Sequence, residues 1–219
     1  MAFIDGLIGR TFIAFFLGGL ISLVTITNPL SKIPLFLSLT GDMQEDMRRR
    51  LALKASIYAF TILTVSLFGG VFIMEGFGIS YGALRIAGGL TVSVVGYRML
   101  FQNPDVYMAS GQGRQDIAFF PLALPSISGP GSIAVVIGIS TEIAELKSRL
   151  TQALAYSATV SSILLTCVIV WITLRSAQIA SKLIGHERMD ALNRMMGFLL
   201  VCIGVQFIGS GVRAFILGG

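Results

Sequence analysis

Thr25-Ile-Thr-Asn-Pro-Leu-Ser-Lys-Ile-Pro34 and Pro121-Leu-Ala-Leu-Pro-Ser-Ile-Ser-Gly-Pro-Gly-Ser132 both lie in apolar stretches where a helix should run, and both resist one. Pro29, Pro34, Pro121, Pro125 and Pro130 are five of the six prolines in the chain. Each removes a backbone donor and clashes with the preceding turn. Asn28 and Gly129 precede proline, a position pushed out of helical dihedrals, and Gly131 lowers helix propensity further. The spacing predicts two broken helices, one in each half of the chain.

Working outward from the breaks, composition demands lipid as part of the solvent. With 54% hydrophobic and 12% charged residues in 219, there is more apolar surface than a soluble core of this size hides. Uncharged runs cover 11–31, 55–74, 117–141, 150–174 and 195–212, each long enough to span a bilayer. A sixth candidate, from about Ser80 to Phe101, contains Arg85 and Arg98, whose long stems can reach the headgroups from near a helix end. The fold class expected is an all-α membrane protein of six transmembrane helices, with helices one and four discontinuous. The first run follows Asp5 and lacks both a basic cluster and a cleavage site, so it reads as a span and not a signal peptide.

The formal charge of +5 sits beside the hydrophobic runs, which suits anionic lipid headgroups and not nucleic acid. Lys and Arg in alternate loops divide ten against five. This places both termini on the periplasmic side of a bacterial cytoplasmic membrane. Cys167 and Cys202 fall inside predicted spans and read as packing residues, not as a disulfide or metal pair. His186, beside Glu187 and Arg188, is expected in a solvated loop.

The halves resemble each other in two registers. Asn28-Pro29-Leu30-Ser31 pairs with Gly129-Pro130-Gly131-Ser132, and further on Ala83-Leu84 pairs with Ala191-Leu192, Gly89 with Gly197 and Gly96 with Gly204. Residues 1–101 are therefore read as a first three-helix repeat, 102–116 as a linker and 117–219 as a second repeat, together one membrane domain. Three spans per half would invert the second repeat relative to the first. Two such halves can exchange conformations of similar energy, which favours alternating access over an enzyme or scaffold.

Backbone freed in a bilayer is tolerated only against protein or a water-filled cavity, so the breaks should meet in the interior. Half-helices restarting at Pro29 and Pro130 would aim unpaired N–H groups at a carboxylate. Oxygens of Thr25, Thr27, Ser126 and Ser128 would hold an ammonium group or a small cation. With Asn28, Ser31, Gly129, Gly131 and Ser132 they define a small polar substrate site. The competing reading is that Pro and Gly only kink the helices while hydroxyls bond back to carbonyls a turn earlier; recurrence at equivalent repeat positions favours a site. Lys32 either complements an anionic solute group or snorkels to the cytoplasmic interface, the second being preferred. The small-residue stripe Gly78, Gly82, Gly88, Gly89, Ser93 and Gly96 reads as close packing within one chain.

Asn28-Pro29 with Pro34, the run Pro121 to Ser132, Leu84-Arg-Ile-Ala-Gly-Gly-Leu90 with Gly96-Tyr-Arg-Met-Leu100, and Met196-Gly-Phe-Leu-Leu-Val-Cys-Ile-Gly-Val-Gln206 resemble the MarC family over nearly the whole chain. The resemblance implies a six-helix inner-membrane protein, related to a SnatA-like branch that transports small neutral amino acids such as glycine and alanine. It implies a site at the two breaks, with Asn28, Pro29, Gly129, Pro130 and Gly131 matching the family's motifs, and it does not support drug efflux. The function expected is a secondary transporter for a small zwitterion such as glycine, alanine or serine. A passive channel, or an exporter of another small polar solute, is the alternative. No cofactor is expected. No carboxylate lies near a span centre, so coupling would use Na⁺ on backbone oxygens, or H⁺ through a group at an interface. No H-E-x-x-H, G-x-S-x-G or paired mid-span aspartates suggest an enzyme.

Overall fold

The computed structural model describes residues 2–41, 43–101, 117–179 and 186–216. The predicted linker, 102–116, lies outside them. In chain order come α1 (Ala2–Thr27), a 3-10 turn (Pro29–Ser31), α2 (Lys32–Thr40), α3 (Glu45–Phe77) and α4 (Tyr81–Phe101). A π-helical segment (Ala118–Ile127), α5 (Pro130–Ala144), α6 (Arg149–Arg175) and α7 (His186–Ile216) follow. Among the described residues there is no strand.

Five helical stretches are long and apolar enough to cross a bilayer, at 9–31, 45–77, 81–101, 149–175 and 194–216. The remaining predicted run, 117–141, does not form one helix. It divides into the ten-residue π-helical segment and the fifteen-residue α5, neither long enough alone. Proline is the physical cause: a ring at 125 supplies no N–H to an α-helical ladder, and the chain takes the wider i to i−5 spacing, closed by the Ser128 N–H donating to the Ala123 carbonyl at 2.8 Å. π-turns of this kind are rare and concentrate at functional sites.

Two boundaries differ from the sequence reading. α3 starts at Glu45, well before its uncharged run, so Arg48, Arg49, Arg50 and Lys54 ride on the helix and not in a loop. Glu45 and Asp46 occupy its first turn, where the helix dipole favours acids, and Glu45 pairs with Arg49 one turn on. His186, expected in a loop, begins α7; its side chain is outside the described residues.

Packing crosses between the halves. α1 lies along α6, where a methyl group on Gly19 would sit 2.7 Å from Ser162 Oγ. The π-helical segment and α5 lie along α3, where Gly70 faces Ile137. α4 and α7 run antiparallel in the most extensive helix contact of the fold. Their glycines, spaced seven residues apart and so on one face of each helix, meet in three pairs. A methyl group on Gly82 would lie 2.9 Å from the Gly211 carbonyl oxygen, one on Gly89 2.6 Å from that of Gly204, and one on Gly96 2.6 Å from that of Gly197. Leu23, Ile33, Phe36, Leu63, Leu122 and Ile163 are buried in the common core, whereas Val65, Phe72 and Phe77 project outward from α3. Lipid is the natural solvent for that outer face.

Candidate functional site

The two breaks are made by different backbone devices. Asn28 takes φ 45° and ψ 74°, the left-handed region, where Asn is one of the few non-glycine residues at home. Gly129 is extended, at φ −67° and ψ 169°. Both escape the right-handed helix that the following proline disfavours. After Asn28 the chain turns tightly, its carbonyl accepting from the Ser31 N–H at 3.1 Å and the Ser31 hydroxyl at 2.8 Å. α1 and α5 run antiparallel here, and a methyl group on Gly131 would lie 3.4 Å from Ile26 Cγ2. The same methyl would collide with Val92 Cγ2 of α4. The ends of the two broken helices therefore touch, sealed by apolar side chains.

Hydroxyl groups at the breaks divide into satisfied and unsatisfied. Thr25 Oγ1 donates to the Ile21 carbonyl at 2.6 Å, Ser128 Oγ to the Ala59 carbonyl of α3 at 3.3 Å, and Ser132 Oγ to the Ile127 carbonyl at 3.2 Å. Thr27 is 1% exposed and its Oγ1 has no partner. Asn28 is 6% exposed, and its amide side chain makes no hydrogen bond among the described residues. An unsatisfied buried polar group costs about 1–3 kcal/mol, so the Thr27 hydroxyl at the end of a broken helix stands out. At the second break, Pro130 has no N–H, and the Gly131 and Ser132 amides have no carbonyl a turn earlier within α5 to receive them.

Asn28 lies on the wall of a cavity of about 390 Å³ between the first break, α6 and α7, with Thr25, Pro29, Thr173 and Leu200. That volume is within the range of small-molecule sites. The wall is mainly apolar, through residues such as Val24, Ile169, Leu199 and Ile203, in contrast to the polar pocket expected from sequence. Of the predicted site residues, Thr25, Asn28 and Pro29 line this cavity. Thr27 is buried beside it, and Ser31 turns back on Asn28. Ser128, Gly131 and Ser132 are buried across the contact with Ile26, while Ser126 and Gly129 are half-buried and Pro130 is exposed. Lys32 is half-buried, and among the described residues no acidic side chain pairs with it. Sequence reasoning missed Thr173, whose hydroxyl donates to the Ile169 carbonyl at 2.8 Å. Nothing in the run 150–174 marks it apart from the other Ser and Thr.

An all-helical chain with five bilayer-length helices and a further apolar passage split at a Gly-Pro break is a multi-pass integral membrane protein. More particularly, it belongs to the MarC family of integral membrane proteins, whose pattern it matches over residues 13–216. Among its relatives are the inner membrane proteins MarC of Escherichia coli O1:K1 / APEC, Escherichia coli strain K12 and Shigella flexneri. Each is 40% identical over 204 residues, covering 89% of this chain and 92% of the relative. The chain is accordingly a multi-pass inner-membrane protein. No solved structure matches it significantly.

Proposed function

We propose that this protein is a secondary transporter, not an enzyme, that carries a small neutral amino acid across the cytoplasmic membrane by alternating access, with both termini periplasmic. The observation that carries the reading is the left-handed break at Asn28. It leaves the Thr27 hydroxyl buried without a partner, and it sets Asn28, whose side chain makes no hydrogen bond among the described residues, on the wall of a cavity of about 390 Å³. A solute in that cavity can pair with the Asn28 amide, whose donors and acceptor the protein leaves free.

An inverted pair of three-helix repeats, 1–101 and 117–219 joined by 102–116, is supported by the α4–α7 seam. In the repeat alignment Gly89 corresponds to Gly197 and Gly96 to Gly204. Exchanging the halves turns the Gly89–Gly204 contact into the Gly197–Gly96 contact, which is also present. The axis then runs through the middle of the seam, as alternation between two oppositely directed halves requires. The crosswise packing of α1 on α6 and of α5 on α3 follows the same exchange. On this reading the substrate site comprises both breaks, its partners are a small zwitterion and surrounding lipid, and coupling uses Na⁺ or H⁺.

The test is uptake of radiolabelled glycine, L-alanine and L-serine into proteoliposomes, with Na⁺ and pH gradients imposed separately. Saturable uptake that responds to one gradient is expected. Absence of saturable flux for all of these zwitterions under every gradient overturns the reading.

A further inference from the structure

A second cavity, of about 430 Å³, lies between α1, α4 and α5, away from the Asn28 wall. Gly18, Gly19 and Gly138 contribute no side chains to its walls, and Ser22, Tyr81, Arg85 and Glu142 supply its polar groups. Arg85 Nη2 stands 3.7 Å from Glu142 Oε1. Among the described residues this is the one ion pair that joins two helices, since Arg49 and Glu45 share α3.

The contact is longer than a hydrogen bond. At that distance Glu142 Oε1 does not take up a guanidinium N–H in a hydrogen bond. Both side chains remain solvent-accessible, at 33% and 54%, so the pair contributes little to holding the helices together. Arg85 is nevertheless held in place: its Cζ lies 4.4 Å from the centre of the Tyr81 ring, which fixes the planar fork against the wall. Tyr81 is itself positioned by Gly138, where a methyl group would come within 3.0 Å of the ring. At its deep end the cavity reaches Val135, one helical turn from Gly131. Beyond that, Val92 and Ile26 close against Gly131.

We propose that this cavity is a second binding site for the zwitterion, in which Arg85 takes the carboxylate and Glu142 the ammonium group before the solute moves to the breaks. The inference rests on the transporter reading above. Adjacent opposite charges select a molecule that carries both charges, because a simple anion or cation would leave one partner opposed by its own sign. A guanidinium restrained by an aromatic face suits two-pronged carboxylate recognition. Passage onward requires α4 to move from α5 at the Val92–Gly131 contact.

The experiment uses the full chain in proteoliposomes, with glycine, L-alanine and L-serine as probes and glycinamide as competitor. Arg85→Gln and Glu142→Gln are each expected to raise KM roughly tenfold with kcat little changed, the scale of one lost charge-assisted hydrogen bond. Glycinamide, which lacks the carboxylate, is expected to compete poorly against wild type and as well as glycine against Arg85→Gln, whereas Glu142→Gln keeps the preference for glycine. A structural ion pair would not move that preference. Unchanged KM in both variants, or a preference for glycine that survives in Arg85→Gln, overturns the inference while leaving the transporter reading intact. Should wild type carry no flux, equilibrium binding of radiolabelled glycine still reads the site: binding lost in Arg85→Gln upholds it, and no binding to wild type overturns it. Should either variant fail to fold, Ala14→Cys on the cavity wall, with Cys167 and Cys202 replaced by Ala, gives a further reading. Alkylation slowed by glycine supports the site, and an unaltered rate overturns it.

Discussion

Asn28 does two jobs, one with its backbone and one with its side chain, and they can be separated. Its φ of 45° costs most residues roughly 1–2 kcal/mol but costs glycine nothing. Asn28→Gly therefore keeps the break and deletes only the amide. In detergent this variant is expected to unfold within a few degrees of wild type, while its KM for the transported solute rises roughly tenfold, as for a lost hydrogen bond. Asn28→Ala keeps neither feature and is expected to melt lower than Asn28→Gly by the strain of a left-handed alanine. Thermal unfolding together with uptake kinetics checks both; an Asn28→Gly variant with wild-type KM would remove the amide from the site. The sequence marked Asn28 through the proline after it, yet the amide's lack of a partner depends on which side chains surround it. Thr25 and Thr27, two residues apart, show the same limit: one hydroxyl bonds back to Ile21 and the other is left unsatisfied.

At the scale of elements, α4 and α7 are the clearest case of packing set by side-chain absence. Without a hydrophobic drive between helices in lipid, close backbone approach and van der Waals contact hold them together. Gly89 meets the Gly204 carbonyl oxygen, the Phe207 Cβ and the Ile208 nitrogen, so a methyl group there must push whole helices apart. Gly69, on α3, has nothing within 4 Å of the same methyl position. Gly89→Ala is expected to destabilise the protein by about 1–3 kcal/mol, and Gly69→Ala to be neutral or stabilising by up to about 1 kcal/mol. Unfolding monitored in detergent distinguishes them; equal effects would mean that the seam does not govern stability. The small-residue stripe on α4 was visible in sequence, but its partners on α7 were not, because such a stripe fits any closely packed neighbour. Likewise the prolines predicted that 117–141 would break, while the π-helical spacing came from how the chain reclosed its hydrogen bonds around them.

The whole molecule sets the topology. In the proposed arrangement the divided passage Ala118–Ala144 makes one crossing beside the five long helices, an even number that would return both termini to one side. Basic residues bear on which side. Arg48, Arg49 and Arg175 gather around a cavity at one end, whereas Arg85 is balanced by Glu142. By the positive-inside rule the proposed orientation puts the first end in the cytoplasm. Alkaline phosphatase fused at the C-terminus is expected to be active, and green fluorescent protein at the same place dark. The reverse pattern would invert the proposed orientation and turn the Arg85–Glu142 cavity to the cytoplasm.

The sequence by itself determined that this chain lives in a membrane, roughly where its apolar helices lie and where two of them must break. Those outcomes follow from local physics: apolar runs of bilayer length, and prolines that remove donors wherever they fall. Tertiary structure decided which polar groups at the breaks remain unpaired, which glycines touch, and that Arg85 and Glu142, far apart in the chain, share one cavity. Each of these is a relation between distant segments, fixed by the packing of whole helices, which local sequence does not encode.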